Sequence, residues 1–409
     1  MEDRKEEEAV SILSLATADA AYPITQEDYI EWVIQSVQLT GEIAEGVRKL
    51  GARSAIEKRY FCVNDAQAPP SEWQVLPKDF PQSSPSMTVR NKTYCREAPK
   101  LAIAACKKAV AEWGGDPAHI THVISVSCTG VMAPGLEFHV MEALGIPRNV
   151  QRLGINIMGC FGAFRGIATA KAFARENPKN RVLLFCAELC SIHFQTTLSF
   201  ETMIGNALFG DGAAALIIGS NEGSVHDKEK ALWHIEDTAS FILEHTPDLM
   251  TWEASDVGFI MKLSAKIPDS LKEHTPSFVQ KLLGNRCLPS ECGWAIHPGG
   301  KAIVKGLEEV LKLQPWQTAC SWDVLKNYGN MSSVTFLYVL DNLRKKNVPV
   351  PEAAPWTIGV GFVFWISLLS HTFAHSFLFS LFSFLVSFLL SSLVLSFSPL
   401  FFLLASCFI

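Results

Sequence analysis

The chain has 409 residues, 48% of them apolar and 19% charged, with a formal charge of −6. This composition suits a folded body large enough for two linked core units and excludes a disordered chain. An isoelectric point near 6.0 supplies no global positive field, so nucleic acid is not expected as a partner and any anionic ligand must meet a local basic patch.

In chain order, the opening MEDRKEEEAV is acidic and lacks the basic start and apolar run of a secretory signal. VRKLGARSAIEKRY predicts a helix and its exit, carrying Lys49, Arg53, Lys58 and Arg59. Such side chains grip phosphate by charge-assisted bonds, although a solvated helix face would carry the same charges. PKLAIAACKKAVAEWGG predicts an amphipathic helix stopped by Gly114 and Gly115. THVISVSC (121–128), RVLLFCAE and GAAALIIGS are apolar runs short enough for buried strands, and KAIVKGLEEVLKL repeats its apolar positions at helical spacing. The alternation predicts an α/β fold with helices on both faces of the sheets.

Eleven cysteines, odd in number and without a compact framework, predict reduced thiols in a cytosol-like compartment. The spacings Cys186 to Cys190 and Cys287 to Cys292 lack a paired C-x-x-C or a nearby histidine, so no metal site is expected. After Glu352 no Asp, Glu, Lys or Arg occurs, and from Phe362 onward Phe, Leu and Ser dominate. Phe377 to Phe397 reaches the roughly 20 residues that cross a bilayer. Two readings of this tail stay open: a C-terminal membrane anchor, or translated non-coding sequence.

Three motifs carry chemistry. In NIMGCFGAFRGIATAKAFAREN a glycine-bounded Cys160 stands at the entry of an alanine-rich helix, where the helix dipole and unpaired N–H groups favour a thiolate. A buried structural cysteine beside close-packing glycines is the plainer alternative. NYGNMSSVTFLYVLDNLRK repeats the pattern, with Asn330 after a glycine at the mouth of an apolar helix. An internal duplication would bring the two helix mouths together. AIHPGGKAIVKGLEE places His297 after a short apolar strand, and histidine is the side chain that pairs with a thiolate or moves a proton near neutral pH.

MGCFGAFRG, ALFGDGAAA, HPGG and NYGNMSS, in this order, resemble the thiolase-fold condensing enzymes, and HPGG with GNMSS resembles the type III polyketide synthases of the chalcone and stilbene synthase group. The resemblance runs from about Ser11 to Phe362. Cys128 to Gly130 followed by APG is more similar to microbial and fungal members than to plant ones.

The resemblance implies a thiolase-like αβαβα layered fold of two related halves, residues 1–225 and 226–362, with 363–409 as a hydrophobic tail. It implies Cys160 as nucleophile for a starter acyl-CoA, and His297 with Asn330 as the donors that stabilise the enolate of decarboxylating malonyl-CoA. Phe209 and Phe259 match aromatic gatekeepers, Ser332 a position shaping starter choice, His193 the initiation cavity, and Lys49 and Arg53 contacts to CoA. CoA thioesters are the substrates, no cofactor is implied, and a homodimer is expected with the Cys128–Gly130 segment near the partner. A fatty acyl-CoA starter, giving an alkylresorcinol or alkylpyrone, is the preferred expectation. The alternatives are a β-ketoacyl-carrier-protein synthase-like enzyme and an inactive membrane-tethered relative. Family members continue past TIGVGF into a Gly-Pro-Gly loop and closing strands, which Val363, Phe364 and Trp365 do not resemble. A retained intron would account for the break.

Overall fold

The computed structural model describes residues 9–196, 199–284, 288–345, 356–361, 365–371 and 403–406. Strand β1 (Val10–Asp19) is buried along nearly its whole length. A small ribbon of β2 (Tyr22–Thr25) and β3 (Lys58–Phe61) brackets α1 (Gln26–Ser36) and α2 (Gly41–Arg53). Helix α3 runs from Met87 to Trp113, so it starts well before the Pro99 at which periodicity first becomes clear. Ser86 caps its N-terminus, and Gly114 ends it in the left-handed region at φ 76°. Pro99 lies inside the helix, on the buried face with Ala98 and Ala102.

The first half continues through β4 (His122–Ser127), α4 (Leu136–Leu144), β5 (Gln151–Asn156), α5 (Gly162–Glu176), β6 (Arg181–Leu189), α6 (Phe200–Leu208) and β7 (Asp211–Ser220). The second contains β8 (Trp233–Ser240), a hairpin of β9 (Met250–Ser255) and β10 (Gly258–Leu263), α7 (Ile267–Leu283), β11 (Gly293–Ile296), α8 (Lys301–Leu311), α9 (Pro315–Tyr328) and α10 (Thr335–Lys345). Three further strands follow, β12 (Trp356–Gly361), β13 (Trp365–His371) and β14 (Leu403–Ser406).

Ten strands share one sheet in the order β11-β12-β13-β14-β8-β1-β7-β6-β4-β5. The two halves of that sheet meet at a short antiparallel pairing, Ser11 with His234 and Ile12 with Trp233. Alternate residues of β6 face opposite cores: Val182, Leu184 and Cys186 pack with α5 and α10, whereas Leu183, Phe185 and Ala187 pack with α3 and α4. A third core joins α7 and α8 to β11. The layers therefore read helix, sheet, helix, sheet, helix, as a thiolase-like fold requires. α5 and α10 form the middle layer, where the rings of Phe164 and Phe336 lie 4.1 Å apart.

The chain after Phe362 departs from expectation. The charge-free segment does not leave the sheet open: β13 pairs antiparallel with β12 on one side and with β8 on the other. Ladder bonds use backbone groups that every non-proline residue carries, so an apolar uncharged run can fill this place. Phe377–Phe397 lies outside the described residues, and among those described no helix is long and apolar enough to cross a membrane.

Candidate active site

Cys160 lies in a 3-10 turn, Gly159–Phe161, that leads into α5. Gly159 takes φ 57°, a conformation a side chain resists, and this turn aims Cys160 toward the second half. The same device recurs at Gly329, φ 68°, just before Asn330 and the turn that opens α10. Asn330 is held on both sides of its amide. Its Oδ1 accepts from the Ser332 N–H at 2.8 Å and from the Thr335 hydroxyl at 3.4 Å, while Nδ2 donates to the Gly299 carbonyl at 3.2 Å. The Cys160 thiol points toward the same Oδ1 at 3.9 Å. Gly299 belongs to the turn that follows His297, so the asparagine is tied directly to the histidine's loop.

Cys160, His297 and Asn330 line one cavity of about 590 Å³, together with Phe209, Phe259, Ser332, His193 and Arg53. Lys49 is not part of its wall; on the exposed face of α2 it pairs with Glu45 at 3.7 Å.

Electrostatics inside the cavity differ from the sequence expectation of a thiolate. Burial pushes the Cys160 thiol up to about 12, against the smaller opposing effect of its hydrogen bonds with Ser332 and with the Asn330 Oδ1, and buried Glu188 adds to the rise. Burial also pulls His297 down to about 3. In the ligand-free cavity desolvation thus opposes the helix-terminal field of α5 at Cys160 and disfavours the charged form of His297.

His193 is buried, with Nε2 2.7 Å from the Thr129 carbonyl and Nδ1 accepting from the Phe259 N–H at 3.3 Å. Those partners assign the proton to Nε2. Burial holds His193 down at about 3, so it is a neutral wall element. The Phe259 ring stacks on Trp252 at 5.3 Å, and the Trp252 indole N–H donates to the Cys128 carbonyl at 2.8 Å. Phe209 caps the end of α6 and forms a parallel bridge with Asn330.

Four wall or supporting residues escaped the sequence reading as site residues. Glu188 accepts from Cys128 N, the Thr129 hydroxyl and the Ser333 hydroxyl, at 2.9, 2.9 and 2.6 Å. Its signal was present in the sequence, as an acid inside the otherwise apolar run RVLLFCAEL. Cys128 lies 3.1 Å from the Ser332 hydroxyl. Trp252 reaches the cavity only through the register of the β9–β10 hairpin, and Lys301 only because α8 starts at the cavity wall.

The chalcone and stilbene synthase N-terminal domain family matches residues 1–222, and the C-terminal domain family matches 235–372. A probable polyketide synthase 1 from Dictyostelium discoideum is 30% identical over 360 residues, which is 86% of this chain. The chain spans 11% of that relative's length. Among solved structures, the C-terminal type III polyketide synthase domain of Steely1, a type I/III hybrid from Dictyostelium, superposes with a TM-score of 0.82 at 28% identity, covering 89% of this chain and 100% of that domain. The fungal type III polyketide synthase ORAS shares the fold, with a TM-score of 0.79 at 22% identity over 88% of this chain and 99% of its own. With its two halves matched to both domain families and its fold to these structures, this chain belongs to the chalcone and stilbene synthase family of type III polyketide synthases.

Proposed function

We propose that the protein is an acyltransferase that condenses malonyl-CoA, iteratively and with loss of CO2, onto a starter acyl-CoA held on Cys160. The observation that carries the reading is the convergence of Cys160, His297 and Asn330, from three separate chain segments, on one large cavity with largely apolar walls. Burial disfavours the charged forms of Cys160 and His297, which suits a proton transfer as the thioester arrives: His297 takes the Cys160 proton, sulfur attacks the acyl carbon, the carbon–sulfur bond to CoA breaks, and His297 returns the proton to the departing CoA thiolate. Malonyl-CoA then places its thioester oxygen against His297 and the Asn330 Nδ2. Donors fixed in a dry site stabilise the enolate that forms as CO2 departs, typically by a few kcal/mol per donor. The enolate carbon attacks the acyl carbon, the bond to Cys160 sulfur breaks and frees the cysteine, and the chain, two carbons longer and now on the extender's CoA, is transferred back to Cys160 for the next round.

The apolar walls support a fatty acyl starter, and an alkylresorcinol or alkylpyrone is the product class we infer. Arg53 and Lys301, both on the cavity wall, are the cations we assign to the CoA phosphates. A homodimer is supported by the exposed apolar side chains Val131, Phe138 and Ile157, which lie just after the Cys128–Gly130 segment and at the edge strand β5.

The test is product analysis by mass spectrometry with malonyl-CoA and a graded series of acyl-CoA starters. Polyketides that lengthen with the starter and vanish in Cys160→Ala support the proposal. Hydrolysis alone, or no turnover by the unmodified protein, overturns it.

A further inference from the structure

The last turn of α6 ends in carbonyls that no helix can satisfy internally. The Asn206 and Phe209 carbonyls both accept from Arg59 Nη1, at 2.8 and 2.7 Å. The Ala207 carbonyl accepts from Gln26 Nε2 at 2.8 Å, and the Leu208 carbonyl from the Asn330 N–H at 2.9 Å. The Gly210 N–H then returns a bond to the Asn330 carbonyl at 2.9 Å. One short strap thus carries the gate residue Phe209 and grips Asn330, and Arg59 holds it at two points.

Arg59 is fully buried, and among the described residues no carboxylate hydrogen-bonds to its guanidinium. Its charge lies 4.3 Å from the Tyr29 ring centre and 5.5 Å from that of Phe61. Its position at the C-terminal end of α6 is also favoured by the helix dipole. Space around it is closed: a Cβ at Gly329 would come within 2.6 Å of the Leu208 carbonyl oxygen and 2.9 Å of Arg59 Cδ. A buried cation donating only to carbonyls is an unusual expense for mere packing, since an apolar side chain would avoid the desolvation cost.

We propose that Arg59, assisted by Gln26, is a positioning residue for the decarboxylation half of the reaction: it fixes the end of α6 and thereby the placement of Asn330 and Phe209 relative to His297. Cys160 is positioned separately, by the Gly159 turn and α5, so the two halves of the cycle respond differently to loss of this clamp. The assignment rests on the condensing reading above.

The experiment measures two partial reactions in the full-length chain: malonyl-CoA decarboxylation, and acylation of Cys160 by a starter acyl-CoA in a single turnover read by intact-protein mass spectrometry. Arg59→Lys keeps the charge but is shorter, and withdraws the one nitrogen, Nη1, that reaches both carbonyls. Decarboxylation kcat is expected to fall by about tenfold to a hundredfold with little change in KM, as for a misplacement of about 1 Å, while acylation stays within about twofold. Gln26→Met, which removes the bond to the Ala207 carbonyl and a longer one to the Ser54 hydroxyl, is expected to show the same split more weakly and carries the test should Arg59→Lys fail to fold. Unchanged decarboxylation in a folded variant overturns the assignment, as does a parallel fall of both reactions with the thermal midpoint. An unmodified protein that does neither reaction overturns the condensing reading itself, and the assignment with it.

Discussion

Cys160 and His297 illustrate how burial and function oppose each other at single residues. A thiol raised to about 12 is a poor nucleophile at neutral pH until its proton has somewhere to go. Alkylation of Cys160 by iodoacetamide should therefore keep rising from pH 7 to pH 10 in the ligand-free protein; a plateau already reached by pH 7 would mean a preformed thiolate–imidazolium pair. The histidines make a second prediction. His193 and His297 both sit near 3 when folded, far below the usual 6.5, so between those values the unfolded chain binds protons that the folded chain does not. Their stabilising contribution is complete above about pH 6.5 and is lost as pH falls, by up to about 1.4 kcal/mol per pH unit for each. The urea midpoint should drop from pH 7 to pH 5, and His193→Asn should make that slope shallower.

At the scale of elements, helix entries do most of the positioning. Gly329 combines φ 68° with a contact that leaves no room for a methyl group. Gly329→Ala should lower stability by about 1–3 kcal/mol and displace Asn330, measurable together as a lower thermal midpoint and slower decarboxylation. Helices α2 and α8 make a separable prediction. Lys301→Ala should raise KM for malonyl-CoA severalfold and leave it unchanged for a short malonyl thioester lacking the phosphates, whereas Lys49→Ala should alter neither. Equal effects on both thioesters would show that Lys301 does not meet phosphate.

The same elements show what could be read from residues alone. Cys160, His297 and Asn330 stand out because glycines flank, follow or precede chemistry-bearing side chains near helix mouths, a local pattern. Arg53 and Lys49 could not be separated, because whether a cation turns to a cavity or to Glu45 depends on how α2 packs. Trp252 and Cys128 meet across residues distant in sequence, through hairpin register and a backbone carbonyl, and no window of sequence contains that information. The strand β13 was hidden for a different reason: the sequence reading stopped the resemblance at Phe362, whereas the C-terminal domain family matches through residue 372 and β13 pairs within the sheet.

The whole molecule presents an edge at β5, with Val131 50% and Ile157 43% exposed nearby. Side chains of this size left in water next to an edge strand favour burial against a second copy. Sedimentation should show a dimer, and Val131→Lys should shift it toward monomer; a monomeric unmodified protein would remove the dimer from the proposal.

The sheet order has one more consequence, for the nascent chain. β8 touches β1 at only two residues, and its other long edge is covered by β13 and β14, which are made after every other helix and strand of the second half. While the ribosome is still adding those elements, β8 has an open ladder edge and little to hold it. The first half can settle as it emerges, but the second must wait for its late strands. Yield during expression should thus depend on translation pace and chaperone supply more than the stability of the finished fold would suggest.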